Sequence, residues 1–372
     1  MGRSFRIGRI FGFPVRVDFS WFLGFILFSV LLSASFLPEA YPEWDTLHHW
    51  IVGITIILLL FGSVLAHELS HSIVSRKKGI PVTSITLFIF GGMAQIDKEA
   101  AQPKTELLIS VAGPASSLLL AGIFYGIAYL CKDWNVYLFA LTGYLSYVNL
   151  ILAAFNMIPG FPLDGGRVLR ALIWMATGNY SRATKISTTA GSAISIIMIA
   201  AGVLIFFLWG YFSGIWLIFI GFILNSAARA GYQQTALRES LKGYTAQDVI
   251  IRDAPRLPRY VNLMDLVEGA FAKSPHNLYL VTDGDALAGI LTVWQIRKVP
   301  QRQWNLTTAA HIMVPVEQLP AVRPTEDASS VLEKFARGRD DAVAVSSDGK
   351  VTGIITRQSL FDFARRLQVL KG

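Results

Sequence analysis

The sequence predicts a polytopic α-helical membrane protein with six transmembrane helices, a short membrane-associated β-hairpin and a C-terminal soluble α/β domain. Only 16% of the 372 residues are charged, whereas soluble globular proteins carry about 25%. Several apolar stretches reach about 20 residues, the length that a helix needs to cross a bilayer. After about residue 243, the composition becomes typical of soluble α/β proteins.

Hydropathy predicts six transmembrane spans. They cover residues 18–37, 49–75, 105–131, 135–157, 186–209 and 214–229. Arginines precede the first span, and Arg76, Lys77 and Lys78 follow the second. Under the positive-inside rule, both termini and the connections 76–104 and 158–185 lie in the cytoplasm. We also expect a multi-pass protein of the plasma membrane of a prokaryotic cell.

The positive-inside rule also explains the formal net charge of +8. Basic residues collect in the cytoplasmic loops of membrane proteins. The sequence lacks a dense basic block with interleaved aromatic residues, so we expect no nucleic-acid partner. The single cysteine, Cys131, excludes an intramolecular disulfide and a cysteine-based metal cluster.

The segment 81–96 (PVTSITLFIFGGMAQI) is too short to cross the bilayer as a helix. Its β-branched and aromatic residues around Gly91 and Gly92 predict a β-hairpin. At membrane depth, such a backbone must be buried in protein or line a wet cavity.

We assign residues 1–232 to the membrane domain and residues 243–372 to the soluble domain. Within the soluble domain, segments 277–296 and 341–360 repeat one plan: an apolar strand, an Asp/Gly turn, a second strand ending in threonine, and a helix start. An amphipathic helix precedes each copy. This duplication predicts two copies of one α/β unit.

Three ionisable residues, His67, Glu68 and His71, lie inside the second apolar span as H-E-x-x-H. Placing a glutamate and two histidines in a bilayer span costs at least a few kcal/mol, and such residues usually serve a function. Positions i and i+4 share one helix face. Two imidazoles can therefore bind one Zn²⁺ while the glutamate points toward the same cavity. The pattern predicts a zinc site.

Two histidines leave room for a third protein ligand. The other histidines lie at the outer end of the second span or in the soluble domain. Asp164 follows two prolines that end the fourth helix at its cytoplasmic end, and Gly165 and Gly166 allow a tight turn. Because His67 and His71 occupy the same depth, Asp164 is the predicted third ligand.

Together the two motifs resemble the site-2 protease family of intramembrane zinc metalloproteases. H-E-x-x-H stands in the second span, and N-x-x-P-x-x-P-L-D-G-G begins at Asn156. The C-terminal duplication resembles a pair of cystathionine-β-synthase-type (CBS) domains, so the likeness covers nearly the whole chain. It implies one Zn²⁺ held by His67, His71 and Asp164. It also implies that Glu68 is the catalytic base.

The resemblance further implies regulated intramembrane proteolysis, in which an endopeptidase cuts a transmembrane segment near its cytoplasmic end. Besides the lipid bilayer, the expected partner is a single-span protein such as a membrane-tethered transcription regulator or an anti-sigma factor. Hydrolysis requires an extended backbone, so we expect the strands of 84–96 to offer an edge to the unwound substrate. At Ser117, where many relatives carry asparagine, we expect an effect on helix packing and none on a ligand.

Two asparagines are candidates for stabilising the oxyanion. Asn156, eight residues before Asp164, is the favoured donor and is assigned to the catalytic group. Asn149 lies two turns earlier on the same helix face, where an interhelical hydrogen bond explains it at least as well.

The resemblance implies that the CBS pair regulates the activity, and such pairs commonly bind ATP or AMP. In copies that bind a nucleotide, an acidic residue often follows the second strand's threonine by three positions. Here Gln295 and Ser359 occupy these positions, and neither accepts two ribose hydroxyls as a carboxylate does. Nucleotide sensing, homodimerisation through the CBS domains and a lid over the active-site mouth stay open.

A transporter or channel is the alternative class, because CBS pairs also gate ion-conducting proteins and polar residues can line ion paths. A pore does not need a glutamate between two histidines at this spacing, which favours the enzyme. A pseudoprotease scaffold is disfavoured because every ligand and the base are present.

Overall fold

The computed structural model describes residues 4–89, 91–96, 100–209, 213–251, 254–271, 278–284, 286–337, 341–347 and 350–371. The chain divides into two compact units, residues 1–233 and 234–372. Among the described residues, six helices are long and apolar enough to cross a membrane. The predicted fold class, a helical membrane part followed by a soluble α/β part, is confirmed.

The first unit contains two β-hairpins and a set of helices. Its strands are β1 (Ser4–Ile10), β2 (Phe13–Asp18), β3 (Val82–Phe88) and β4 (Gly91–Ile96). Its helices are α1 (Phe19–Leu31), α2 (Leu37–Ala40), α3 (Thr46–Lys77), α4 (Pro103–Cys131), α5 (Val136–Asn156), α6 (Asp164–Thr177), α7 (Tyr180–Trp209) and α8 (Ser213–Leu241), whose residues from 234 onward belong to the second unit. A π-helical turn, Leu32–Phe36, joins α1 to α2.

The predicted spans fall on α1–α2, α3, α4, α5, α7 and α8. Helix α8 continues from its predicted end at residue 229 to Leu241. Helix α6 was not predicted, because Gly165 and Gly166 suggested a turn. These glycines instead let the first turn of α6 pack against the preceding loop: a Cβ atom at Gly165 would overlap the carbonyl oxygen of Met157.

The four strands of the first unit form one sheet in the order β1-β2-β3-β4. The pairs β1–β2 and β3–β4 are antiparallel, and β2–β3 is parallel. The predicted hairpin at 81–96 is β3–β4, whereas the β1–β2 hairpin was not predicted. Phe13 and Ile85 of the sheet form a buried cluster with Leu69 of α3. The sheet therefore packs beside the part of α3 that carries H-E-x-x-H.

Helix α3 lies at the centre of the first unit and contacts α4, α5 and the sheet. Its start is fixed by Asp45, whose carboxylate accepts a hydrogen bond from the His48 N–H at 2.8 Å. Buried apolar side chains join α3 to its neighbours, namely Leu32, Leu37, Trp44, Val52, Ile56, Ile57, Phe61, Ala140 and Leu145. This packing holds α3 in a defined position.

The second unit contains two small sheets, with the strand orders β5-β6-β7-β8 and β11-β10-β9. The strands are β5 (Arg256–Pro258), β6 (Leu278–Asp283), β7 (Ala286–Thr292), β8 (Val314–Pro315), β9 (Ala321–Val322), β10 (Ala342–Ser347) and β11 (Lys350–Thr356). The helices are α9 (Ala246–Val249), α10 (Leu263–Asp265), α11 (Val293–Arg297), α12 (Ala309–Ile312), α13 (Ala328–Arg337) and α14 (Arg357–Lys371). The hairpins β6–β7 and β10–β11 both end in threonine before a helix, as the duplication predicts.

Candidate metal centre

His67 and His71 lie on one face of α3, as their i and i+4 spacing predicts. Their Nε2 atoms are 3.2 Å apart. Both residues are about 4% exposed, so these nitrogens converge inside the protein rather than at its surface.

Asp164, the first residue of α6, meets both histidines. Its Oδ2 atom lies 3.1 Å from Nε2 of His67 and 3.1 Å from Nε2 of His71. The carboxylate is also buried. Among the described residues, this is the one group of three His, Cys, Asp or Glu side chains that could hold a metal ion.

The loop before Asp164 is held by α7. The Phe161 N–H donates to the Ser187 carbonyl at 3.1 Å, and the Ser187 hydroxyl donates to the Gly166 carbonyl at 2.5 Å. A Cβ atom at Gly191 would overlap the Phe161 carbonyl. The absence of a side chain at Gly191 therefore lets the loop lie directly on α7.

Helix α4 orients both imidazoles through contacts to their Nδ1 atoms, the ring nitrogens that do not face Asp164. His71 Nδ1 donates a hydrogen bond to the Ile109 carbonyl at 2.6 Å, which leaves the lone pair of Nε2 available. His67 Nδ1 lies 2.9 Å from the Ser117 hydroxyl. The expectation that position 117 affects helix packing but none of the predicted ligands was wrong, because the Ser117 side chain points from α4 toward α3 and contacts His67.

Gly113 lies between these two contacts on α4. A Cβ atom there would overlap Nε2 of both His67 and His71. Sequence reasoning missed Gly113 and the Ile109 carbonyl, since neither belongs to a recognisable motif. The A-G-P-A-S stretch from Ala112 to Ser116 was the available signal for a close helix contact.

The donor set fits Zn²⁺. Ligand atoms about 2.0–2.1 Å from a tetrahedral zinc ion lie about 3.3 Å from one another, and the three distances here are 3.1, 3.1 and 3.2 Å. Two imidazoles and one carboxylate form a donor set that leaves a fourth position open, as catalytic zinc sites do. Hydrogen bonds to the outer nitrogens of both rings complete the arrangement usual for zinc-bound histidine.

Glu68 lies beside this cluster and faces β4. Its Oε2 atom accepts a hydrogen bond from the Ala94 N–H at 3.2 Å. A Cβ atom at Gly92 would overlap Cγ of Glu68, so the glycine allows the strand to approach the carboxylate. Because β4 is the last strand in the order of its sheet, Glu68 lies next to a sheet edge.

The structure does not bring Asn156 into hydrogen-bond contact with the three clustered residues. The Asn156 amide donates to the Leu152 carbonyl of its own helix at 3.0 Å, and a role at the oxyanion requires the side chain to leave this bond. Asn149 donates to the Ser63 hydroxyl at 3.1 Å. That contact between α5 and α3 is the interhelical hydrogen bond considered above.

A buried ion pair joins α4, which contacts both histidines, to α6, which carries Asp164. The Arg170 guanidinium donates to Oε1 of Glu106 through Nε at 2.7 Å and through a second nitrogen, and both side chains are buried. Glu106 is one turn before Ile109 on α4, and Arg170 follows Asp164 on α6. The pair therefore connects the helix that orients His71 to the helix that carries the carboxylate.

The second unit has a cavity of its own, of about 730 Å³. Equivalent segments of the two repeats line it, namely Leu278, Ile290, Thr292, Val293, Trp294, Arg297, Asp341, Ala342, Thr356, Arg357, Gln358 and Phe361. Oε1 of Gln295 accepts hydrogen bonds from the N–H and hydroxyl of Thr292 at 2.5 and 2.7 Å. Ser359 likewise accepts from the Thr356 N–H at 3.0 Å. Both side chains cap helices.

Comparison with known proteins covers both units. The sequence profile of Peptidase family M50 matches residues 55–133 and 131–198, and that of the CBS domain matches residues 309–366. The chain is 33% identical to a Synechocystis protein and 32% identical to Rip3 of Mycobacterium tuberculosis, both named "Putative zinc metalloprotease". These alignments cover 97% and 98% of this chain, and 95% and 93% of the relatives.

Among solved structures, the site-2 protease from Methanocaldococcus jannaschii is 32% identical, with a TM-score of 0.42. The match covers 62% of this chain and 95% of that chain.

Proposed function

The chain belongs to Peptidase family M50, the site-2 proteases, and we propose that it hydrolyses a peptide bond within a transmembrane segment of another membrane protein. The family makes it a multi-pass intramembrane metalloprotease with a CBS domain. The observation that carries the proposal is the meeting of His67, His71 and Asp164 at 3.1–3.2 Å.

His67, His71 and Asp164 are the proposed zinc ligands. A zinc ion held there would acidify a water molecule and polarise the scissile carbonyl. Glu68 takes the proton from the attacking water and delivers it to the leaving amine. The Ala94 N–H, which donates to Glu68 at 3.2 Å, holds the carboxylate in place. Asn156 is the proposed donor to the oxyanion.

The proposed substrate adds to the free edge of β4. Peptide hydrolysis requires an extended backbone, and strand addition supplies one through main-chain hydrogen bonds. Glu68 lies against Gly92 and Ala94 of that strand, so an added strand runs past the catalytic carboxylate. A proline at a position of β4 whose N–H points away from β3 should slow cleavage without releasing zinc. Unchanged cleavage would refute strand addition.

We propose that both termini are cytoplasmic and that the cluster lies in the cytoplasmic third of the bilayer. The basic residues Arg76 and Lys77 in the last turn of α3 support this orientation. The proposed membrane and regulatory domains are residues 1–232 and 243–372. The protein is then a plasma-membrane protease that releases a cytoplasmic fragment.

The proposed substrates are single-span proteins, such as membrane-tethered transcription regulators or anti-sigma factors. Membranes from cells that contain wild type or Glu68→Gln should be compared by quantitative proteomics. Single-span proteins that accumulate only with Glu68→Gln are the expected result. Identical membrane proteomes under every growth condition tested would count against the proposal.

The CBS pair is the proposed regulatory element, through an adenine nucleotide in the cavity of the second unit or through association of two chains. Arg297 and Arg357 line this cavity and suit phosphate groups. Because Gln295 and Ser359 cap helices and carry no carboxylate, we expect AMP and a dideoxy analogue to bind equally well. Titration calorimetry of the full chain measures both, and no heat with ATP, AMP or the analogue would refute sensing.

A further inference from the structure

The β1–β2 hairpin exposes three arginines on one face. Arg6 lies directly opposite Arg16 in the antiparallel pair, and like charges in this arrangement destabilise a sheet. Arg9 pairs with Pro14 on the same face. All three side chains are exposed. Among the described residues, no carboxylate lies within ion-pair distance of them.

Asp18 is the acidic residue on this face of the hairpin, but it is engaged elsewhere. Its carboxylate accepts a hydrogen bond from the Ser20 N–H at 3.0 Å and caps α1. This hydrogen bond lowers the pKa of Asp18, so the cap stays ionised. Among the described residues, the arginine face is therefore not neutralised by an ion pair.

The turn of the hairpin carries a second unusual feature. Phe11 and Gly12 both have positive φ angles, 49° and 85°, and two-residue turns of this kind prefer Asn-Gly or Asp-Gly. A bulky residue at positive φ is strained. The Phe11 side chain is nevertheless 69% exposed, and Ile7, at the irregularity in the β1 register, is 68% exposed.

Contact with a membrane surface explains both the cluster of arginines without an ion pair in the described part of the chain and the exposed apolar side chains of Ile7 and Phe11. Arginines near anionic headgroups gain electrostatic attraction, and exposed apolar side chains gain by entering the acyl boundary. The hairpin is placed for this contact, because β2 runs directly into α1 at Phe19. The Phe19 ring packs edge-on against Phe5 of β1 with centroids 4.9 Å apart.

We propose that the β1–β2 hairpin is a binding surface for anionic phospholipids, in which Arg6, Arg9 and Arg16 contact headgroup phosphates while Ile7 and Phe11 enter the adjoining apolar layer. An acidic soluble peptide would satisfy the arginines but not the exposed apolar side chains. The inference is independent of the catalytic roles proposed above.

The test uses the full-length protein in nanodiscs of phosphatidylcholine with an increasing fraction of phosphatidylglycerol. The hairpin variant is Arg6→Gln/Arg9→Gln/Arg16→Gln. The matched control is Arg302→Gln/Arg365→Gln/Arg366→Gln, which removes the same charge from exposed sites of the second unit. The measured quantity is the thermal unfolding temperature as a function of the phosphatidylglycerol fraction.

Phosphatidylglycerol should raise the unfolding temperature of the wild type and of the control. The half-saturating fraction should rise about fivefold for each arginine removed, so the triple variant should lose the response. In pure phosphatidylcholine, the hairpin variant should be at least as stable as wild type, because a like-charge pair is gone. A response retained by the hairpin variant, an unresponsive wild type, or a hairpin variant destabilised in pure phosphatidylcholine would overturn the proposal.

Insertion is measured separately, with a nitroxide at residue 7. The variants are Ile7→Cys and, as a control, the exposed Lys350→Cys, both in a Cys131→Ala background. In nanodiscs containing phosphatidylglycerol, the label at position 7 should collide more with oxygen than with a water-soluble nickel reagent, and the label at position 350 should do the reverse. Preferential nickel collision at position 7 would also overturn the proposal.

Discussion

Replacing Ser117 with alanine removes the hydroxyl that lies 2.9 Å from Nδ1 of His67. Ser117 and His67 are both buried, at 0% and 4% exposure, so bulk water cannot take the place of this partner. The imidazole would lose the contact that fixes its orientation toward Asp164. Zinc binding should therefore weaken while the helices stay folded.

Two estimates of the effect agree. Removing the outer partner of a zinc-bound histidine lowers metal affinity by about 10- to 100-fold, which corresponds to about 1.4–2.7 kcal/mol. A buried polar group left without a partner costs about 1–3 kcal/mol. We therefore expect a 10- to 100-fold rise in the zinc dissociation constant, as an order of magnitude.

The assay is competition between the purified protein and a chromogenic zinc chelator. Ser110→Ala is the matched control, because the Ser110 hydroxyl is also buried on α4 but donates to the Glu106 carbonyl of its own helix. Ser117→Asn should keep most of the affinity, since its side-chain amide can still reach His67. Equal zinc affinities for Ser117→Ala and Ser110→Ala would refute the reasoning.

Three further substitutions test the surroundings of the cluster. Gly113→Ala places a methyl group against Nε2 of both histidines and should abolish zinc binding, measured by metal analysis. The control is Gly122→Ala on the same helix, which meets nothing within 4 Å and should keep zinc binding. Zinc retained by Gly113→Ala would contradict the site geometry. Arg170→Met leaves Glu106 buried without its cation and should lower the unfolding free energy by about 3–5 kcal/mol, with partial recovery in Glu106→Gln/Arg170→Met. An unfolding curve unchanged in the single variant would contradict this role. Asn156→Ala should lower kcat by about 10²- to 10³-fold with zinc retained, and an unchanged kcat removes Asn156 from the mechanism.

The membrane spans and the pairing of His67 with His71 could be predicted because both depend on local patterns. Long apolar runs determine the spans, and the i, i+4 spacing places two side chains on one helix face. Asp164 was a less local inference, but its loop is confined by prolines and glycines. The structure places it 3.1 Å from both histidines.

Contacts between distant segments could not be predicted in the same way. Glu106 and Arg170 are 64 positions apart, and neither belongs to a motif. The β1–β2 hairpin was overlooked because its arginines were interpreted only as signals of orientation. Gly165 and Gly166 suggested a turn, but glycine also permits close packing of a helix on a loop. Here the second explanation applies, because the first turn of α6 packs on the loop at Met157, a contact that the sequence does not reveal.

Glu68 offers the sharpest test of the proposed chemistry. Zinc content and cleavage of a transmembrane substrate should be measured in the same purified preparations of wild type and Glu68→Gln. Glutamine keeps an oxygen that can accept from the Ala94 N–H, but it cannot take a proton from water. Zinc content should be unchanged and cleavage should fall by about 10²- to 10⁴-fold. Cleavage at the wild-type rate by zinc-loaded Glu68→Gln would contradict the assignment of Glu68 as the base.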